Sequence, residues 1–275
     1  MRDKLQTLLA RLCFDGMAAA LDAELERAER EATPASELIY RLLCAEAASQ
    51  RQRSLAYRLK QARLPWDWTL ETFPFDEQPS LNKGQIKTLA GLDFLSRANN
   101  IVLTGKTGTG KTGIAIGILR EACLNGYRGR FYDAQDLLDE LYASLADRST
   151  ARLLKRLSRL QPLVIDKVDN LNVKPEQANA FFRLIDQRYN RVSTIITTSL
   201  DLTDWYELFE KKDLVDALLD RLRHRCITIN IDGPSLRSPE AEASASPAQK
   251  RSARQVARQH GRRSSAERAR VGAPS

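Results

Sequence analysis

The chain has 275 residues, of which 43% are hydrophobic and 28% are charged, and its net charge is +8. These proportions are ordinary for a globular protein, and no run of about 18 apolar residues could cross a membrane. The excess of positive charge favours binding to polyanions such as nucleic acid. The N-terminal residues, MRDKLQ, lack an apolar signal segment, so we expect a cytoplasmic protein with no membrane contact.

Residues 1–63 predict a small all-helical domain, because apolar side chains recur there at spacings of three and four. Leu5, Leu8, Leu9 and Leu12 are expected to form one apolar face. No acidic residue lies between residues 51 and 63, and this stretch carries five cations: Arg51, Arg53, Arg58, Lys60 and Arg63. The domain is therefore predicted to bind DNA or a partner protein. The alternative is a solvated cationic helix face.

Residues 64–84 form a connector rich in proline and aromatic residues. The segment has too many large apolar groups to be a flexible linker in water. We predict that it packs on the domain that follows. Contact near a nucleotide's adenine and simple core packing are equally compatible with the pattern.

Residues 85–237 alternate between helical segments and short apolar runs, which predicts an α/β domain with a parallel sheet covered on both faces. The five strand candidates are 101–104, 129–133, 162–166, 193–198 and 226–231. Residues 238–275 hold eight basic and three acidic residues and few large apolar ones. We expect this basic tail to be disordered, and either to attract nucleic acid or to aid solubility.

The most informative motif fits the pattern G-x-x-x-x-G-K-[ST] of a phosphate-binding loop, between the first strand candidate and a helix. Its residues are Gly105, Lys106, Thr107, Gly108, Thr109, Gly110, Lys111 and Thr112. Glycines let backbone N–H groups turn toward an anion, and the helix N-terminus adds partial positive charge. The motif predicts that Lys111 contacts the β- and γ-phosphates of ATP and that Thr112 holds Mg²⁺.

A second part of the nucleotide site is predicted at Asp166, which ends an apolar strand and is expected to hold Mg²⁺. An acid that activates water often follows directly, but Lys167 stands there and cannot act as a base while protonated. If the chain stays extended, alternation places Asp169 on the same side as Lys167. We hypothesise that Asp169 is the surrogate acid, with ATP hydrolysis slow or absent otherwise.

Two further positions are candidates for sensing the γ-phosphate. Ser199 follows a strand candidate that ends in two threonines, and Arg221 lies in a cluster of cations. Arg221 could reach the γ-phosphate of a neighbouring subunit, which would make hydrolysis depend on assembly. The alternative for Arg221 is a salt bridge at the end of a helix or a surface charge.

The chain resembles the IstB-like ATP-binding proteins, transposition helpers of bacterial insertion sequences that are related to DnaC-type helicase loaders and to DnaA. The resemblance covers about residues 3–237 and rests on several strings in one order: the loop 105–112, QPSL at 78–81, LDFL at 92–95, STIITT at 193–198 and LDRL at 219–222. It implies an AAA+ fold, ATP-dependent self-assembly on double-stranded DNA and cooperation with a transposase. By the same resemblance, Arg221 is a trans-acting arginine finger and Arg237 a second γ-phosphate sensor.

The chain departs from the family pattern at Lys167, where Asp or Glu is usual, and at Ser199 and Asp169. These departures affect the expectation of hydrolysis more than that of binding. The leading hypothesis is an ATP-dependent helper of DNA transposition. A DnaC-like helicase loader and a scaffold that binds ATP without turnover are the alternatives.

Overall fold

The computed structural model describes residues 1–171, 173–207 and 212–236. The chain divides into two units, Met1–Lys60 and the part from Gln61 onward. Arg237 and the predicted basic tail lie outside the described residues. Within the described ranges, no helix has the length and apolar character needed to span a membrane.

The first unit consists of three helices: α1 (Arg2–Arg11), α2 (Asp15–Glu31) and α3 (Ala35–Ala62), whose last residues belong to the second unit. Its small core contains Leu9, Leu21 and Leu42. The predicted apolar face of α1 is only partly correct. Leu9 is buried, whereas Leu5, Leu8 and Leu12 keep 38–53% of their surface exposed.

A buried carboxylate ties α2 and α3 of the first unit together. Glu46 is 5% exposed and accepts hydrogen bonds from the backbone N–H groups of Gly16 (2.8 Å) and Met17 (3.2 Å). Arg53 donates to the same carboxylate at 2.9 Å and also pairs with Asp15. One of the five predicted DNA-binding cations is therefore engaged within the unit.

The second unit is an α/β domain with five parallel strands, as predicted. The strands are β1 (Asn100–Gly105), β2 (Arg130–Asp133), β3 (Leu163–Asp166), β4 (Thr194–Thr198) and β5 (Cys226–Ile231). Their spatial order is β2-β3-β4-β1-β5. All residues of β3 and β4 are buried, as expected for inner strands of a sheet that is covered on both faces.

Seven helices of the described ranges surround or precede this sheet: α4 (Lys83–Ala90), α5 (Asp93–Ser96), α6 (Lys111–Leu124), α7 (Ala134–Ala146), α8 (Thr150–Leu157), α9 (Pro175–Arg188) and α10 (Lys212–Arg223). The apolar side chains of α6 are buried along most of its length. Its N-terminus begins directly at the predicted phosphate loop. Because parallel strands carry their carboxyl ends at one edge, β1, β3 and β4 all deliver their last residues to that edge.

A buried arginine stabilises the domain opposite this edge. Arg188 is 1% exposed, and its guanidinium donates to the carbonyl oxygens of Leu157 (2.6 Å), Leu160 (2.9 Å) and Ser193 (2.5 Å). Burial lowers the pKa of Arg188. Four polar partners, including the Thr194 hydroxyl at 3.0 Å, compensate for the removal of the cation from water.

Candidate nucleotide-binding site

The phosphate loop lies between β1 and α6 and turns through left-handed glycines. Gly108 and Gly110 have φ values of 89° and 96°, a backbone region that side chains disfavour. The Lys111 ammonium lies across the loop and donates to the carbonyl oxygens of Gly105 (2.6 Å) and Lys106 (2.8 Å). The lysine is thus held at the centre of the loop, from which it can reach an anion above the N-terminus of α6.

The buried carboxylate of Asp166 lies beside the first turn of α6. Asp166 is 1% exposed, and its Oδ1 accepts hydrogen bonds from the hydroxyls of Thr112 (2.8 Å) and Thr197 (2.5 Å). Burial raises the pKa of Asp166, and the two hydroxyl donors oppose that rise. A carboxylate beside a threonine hydroxyl is an oxygen donor set that suits Mg²⁺, so Asp166 and Thr112 fit the predicted metal site.

The backbone changes direction immediately after Asp166. Lys167 adopts a left-handed conformation (φ 62°), and residues Val168–Asn170 form a single 3-10 turn. The prediction of an extended chain after Asp166, on which the Asp169 hypothesis depended, is therefore wrong. Asp169 instead receives a hydrogen bond from the Ser199 hydroxyl, so the structure brings these two predicted residues together by a different geometry.

The Lys167 side chain points toward β2. Its ammonium lies 3.1 Å from Oδ2 of Asp133, and its backbone N–H donates to the Thr197 hydroxyl at 2.9 Å. Asp133 pairs in register with Asp166 on the adjacent strand. Sequence reasoning missed Asp133, although its position at the end of a strand candidate could have identified it.

Arg221 lies in the last turn of α10 and is held within the chain. Its Nε donates to Asp186 at 2.7 Å, and its guanidinium lies over the Phe182 ring at 5.0 Å. The salt bridge that was the alternative reading of this residue is present. The role of a trans-acting finger stays a prediction, because it concerns a second subunit.

The segment that follows β5 crosses the phosphate loop. Leu236 N–H donates to the Gly108 carbonyl at 2.9 Å, and a Cβ on Gly108 would lie 2.1 Å from the Ser235 hydroxyl. Gln78 of the connector holds the segment by donating to the Pro234 carbonyl at 2.7 Å. The loop is therefore flanked by two distant parts of the sequence. Arg237, the next residue, lies outside the described ranges.

The connector packs along α6 through a row of glycines. A Cβ on Gly110, Gly113 or Gly117 would lie 2.7 Å from Phe73, 2.2 Å from Trp68 and 2.5 Å from Leu70, respectively. These glycines, three and four residues apart, create one groove on the helix surface. The pattern in α6 was the sequence signal for this contact, and sequence reasoning did not use it.

The loop between β1 and α6 holds a central lysine, and a buried aspartate ends β3, which is separated from β1 by β4. These features define a P-loop nucleotide-binding domain. The model of the IstB-like ATP binding protein family matches residues 7–244, and the chain belongs to this family. It is 36% identical over 237 residues to the insertion sequence IS21 ATP-binding protein of Pseudomonas aeruginosa, with 86% of this chain and 89% of that one covered. It is 33% identical to the IS5376 counterpart of Geobacillus stearothermophilus, with 87% and 96% covered.

Solved structures show the same fold. The DnaC helicase loader matches with a TM-score of 0.53 at 23% identity, over 62% of this chain and 99% of that one. The replication initiator DnaA, bound to AMPPCP and single-stranded DNA, matches with a TM-score of 0.53 at 21% identity, over 70% and 60%. The AAA+ fold expected from the sequence resemblance is confirmed.

Proposed function

We propose that the chain is the ATP-binding helper of an insertion sequence, which assembles on double-stranded DNA when ATP is bound and cooperates with a transposase. The single observation that carries the proposal is the arrangement of Lys111, Thr112 and Asp166 around the phosphate loop, in a chain that belongs to the insertion-sequence ATP-binding family. Mg²⁺ would neutralise phosphate charge there, held by Asp166 and Thr112.

The charge distribution supports DNA as a partner. The net charge is +8, and Arg51 and Lys60 are exposed on α3, with Arg63 exposed just after it. Arg53 is excluded from this set because Glu46 and Asp15 bind its guanidinium. If the exposed cations contact phosphates, DNA affinity should fall steeply with salt, and neutralising them should flatten that dependence.

Self-assembly would bring Arg221 to the nucleotide of a neighbouring subunit. Within the single chain, the Asp186 carboxylate binds the Nε of Arg221. In an assembly, either this ion pair breaks or Arg221 reaches the nucleotide with Asp186 still bound. An Arg221→Ala protein should therefore bind ATP as a monomer but lose the part of its hydrolysis that requires assembly.

A second candidate function is a scaffold that binds ATP and assembles without turnover. Lys167 favours it, because a cation occupies the position that directly follows the Mg²⁺ aspartate and is paired with Asp133. Both candidates share the nucleotide-dependent assembly and differ only in hydrolysis.

Electron microscopy of the protein with duplex DNA, with and without ATP, tests the shared claim. We expect ordered assemblies on DNA with ATP and none with the Lys111→Ala variant. Capture experiments with the insertion sequence's own transposase and with a replicative helicase then identify the partner. Binding to the helicase alone would contradict the transposition role and favour a helicase loader.

A further inference from the structure

The ends of β2, β3 and β4 carry a chain of polar contacts that the phosphate loop does not explain. Asp166 at the end of β3 is bound by the Thr197 hydroxyl from β4 on one side. Lys167, the next residue, reaches the opposite way to Asp133 at the end of β2. Since β2 and β3 are adjacent, Asp133 and Asp166 are register partners on strands about 4.8 Å apart.

We propose that Asp133 is the carboxylate that orients and deprotonates the attacking water in this site, and that Lys167 restrains it in an ion pair. This inference rests on the proposed function, in which the site binds MgATP. The acidic group that usually follows the Mg²⁺ aspartate is replaced by a lysine. A carboxylate from the neighbouring strand compensates for that lysine.

The geometry of Asp133 supports this assignment. Its Oδ1 accepts the N–H of Gln135 at 3.1 Å and so caps α7, while Oδ2 faces the Lys167 ammonium at 3.1 Å. One oxygen therefore caps the helix and fixes the side chain, and the other is held by the lysine that follows Asp166. Asp133 is half-buried, with 35% of its side chain exposed, so water has access to it.

The backbone of Lys167 holds the pair in place. The residue takes a left-handed conformation that lysine disfavours (φ 62°), and the Thr197 hydroxyl fixes its N–H at 2.9 Å. The side chain is thereby directed at β2. Asp169, the other candidate acid, lies in the 3-10 turn that follows Lys167 and accepts a hydrogen bond from the Ser199 hydroxyl.

In the hydrolytic step, the water oxygen forms a bond to the γ-phosphorus as the bond to the bridging oxygen of ADP breaks. The water proton passes to the Asp133 carboxylate and then to solvent, which yields ADP, phosphate and one proton. While Oδ2 of Asp133 faces the Lys167 ammonium, that oxygen is engaged in the ion pair and is not directed at the water. Turnover is therefore limited by release of this pair.

The test compares Lys167→Asn, Asp133→Asn and the double variant. Asparagine tolerates the left-handed conformation at position 167, and at position 133 it keeps the helix cap while losing the basic carboxylate. We expect Lys167→Asn to raise single-turnover hydrolysis about fivefold, the upper end for a half-exposed ion pair. Adding Asp133→Asn should then lower turnover about 10²- to 10⁴-fold, with ATP affinity changed less than about threefold.

Controls separate this inference from the proposed function. Asp136→Asn alters an exposed acid of the same helix start and should change neither quantity. Non-additive melting temperatures of the two single variants and the double variant, without nucleotide, would report the ion pair itself. Absence of ATP binding in the wild type would defeat the proposed function. Normal ATP binding with equal turnover in Lys167→Asn and the double variant would overturn only the role of Asp133.

Two other results would also overturn the inference. One is a folded, ATP-binding Lys167→Asn protein whose turnover does not rise. The other is loss of turnover on Asp169→Asn but not on Asp133→Asn. If Lys167→Asn does not fold, Lys167→Gly serves in its place, because glycine adopts the same backbone conformation without strain.

Discussion

The two sides of the candidate nucleotide site, which meet at Asp166, differ in how completely the chain supplies the groups that a nucleotide needs. On the side of α6, Lys111 and Thr112 are fixed by short hydrogen bonds inside a glycine loop. On the other side, Lys167 is exposed and is paired with an acid from another strand. Under the proposed function, binding a nucleotide and cleaving it would depend on separate residues, so that one capacity could weaken while the other is kept.

The largest effect should come from Lys111→Ala, which removes the cation at the centre of the loop. Loss of charge-assisted contacts worth about 2–3 kcal/mol predicts ATP binding weaker by about 30- to 150-fold. Titration with a fluorescent ATP analogue measures it. Lys106→Ala, which alters an exposed lysine of the same loop, is the matched control. Equal affinity in the two variants would mean that the loop does not bind phosphate through Lys111.

The substitution Asp166→Asn should weaken Mg²⁺-dependent ATP binding without lowering thermal stability. Burial raises the pKa of Asp166 above its usual value. Its ionised form therefore destabilises the nucleotide-free fold as pH rises above the pKa of the unfolded chain, about 3.9. At neutral pH, the variant with the amide should melt at the same temperature as the wild type or a higher one. The enhancement of ATP affinity by Mg²⁺ should fall at least about tenfold. A lower melting temperature would contradict the buried-charge argument.

Gly113→Ala probes the support that the connector gives to the binding side. Alanine normally favours a helix by up to about 1 kcal/mol, but here its Cβ would lie 2.2 Å from the Trp68 ring. We expect a net loss of about 1–3 kcal/mol of stability, seen in thermal unfolding. Gly84→Ala in α4, where the nearest atom is the Asn82 side chain at 3.1 Å, should not destabilise comparably.

The smallest effect on binding is expected at Ser199. The Ser199 hydroxyl donates to the Asp169 carboxylate and is predicted to act in cleavage, so Ser199→Ala should change ATP affinity by less than about threefold. Its effect should fall on turnover. A large loss of ATP affinity would show that Ser199 takes part in binding and would contradict the separation of binding residues from cleavage residues.

The sequence predicted the sheet and the loop well because both depend on local patterns. Five apolar runs and one glycine motif are readable without knowing what they contact. It failed after Asp166, where a left-handed lysine and a 3-10 turn replaced the expected extension. Lys167 follows β3, whereas Asp133 and Thr197 lie in β2 and β4. The connector's contacts with the glycine row of α6 join residues 37–47 positions apart. Such relations depend on tertiary packing, which periodicity alone does not encode.

The most direct test of the account follows bound ATP in the wild-type protein and in Lys167→Asn. Both proteins are mixed with radiolabelled ATP, Mg²⁺ and duplex DNA, and the bound nucleotide is separated at intervals. We predict that both proteins bind ATP, and that the label stays longer as triphosphate in the wild type than in the variant. Equally rapid conversion to ADP in the two proteins would contradict the claim that Lys167 restrains cleavage in a site that is complete for binding.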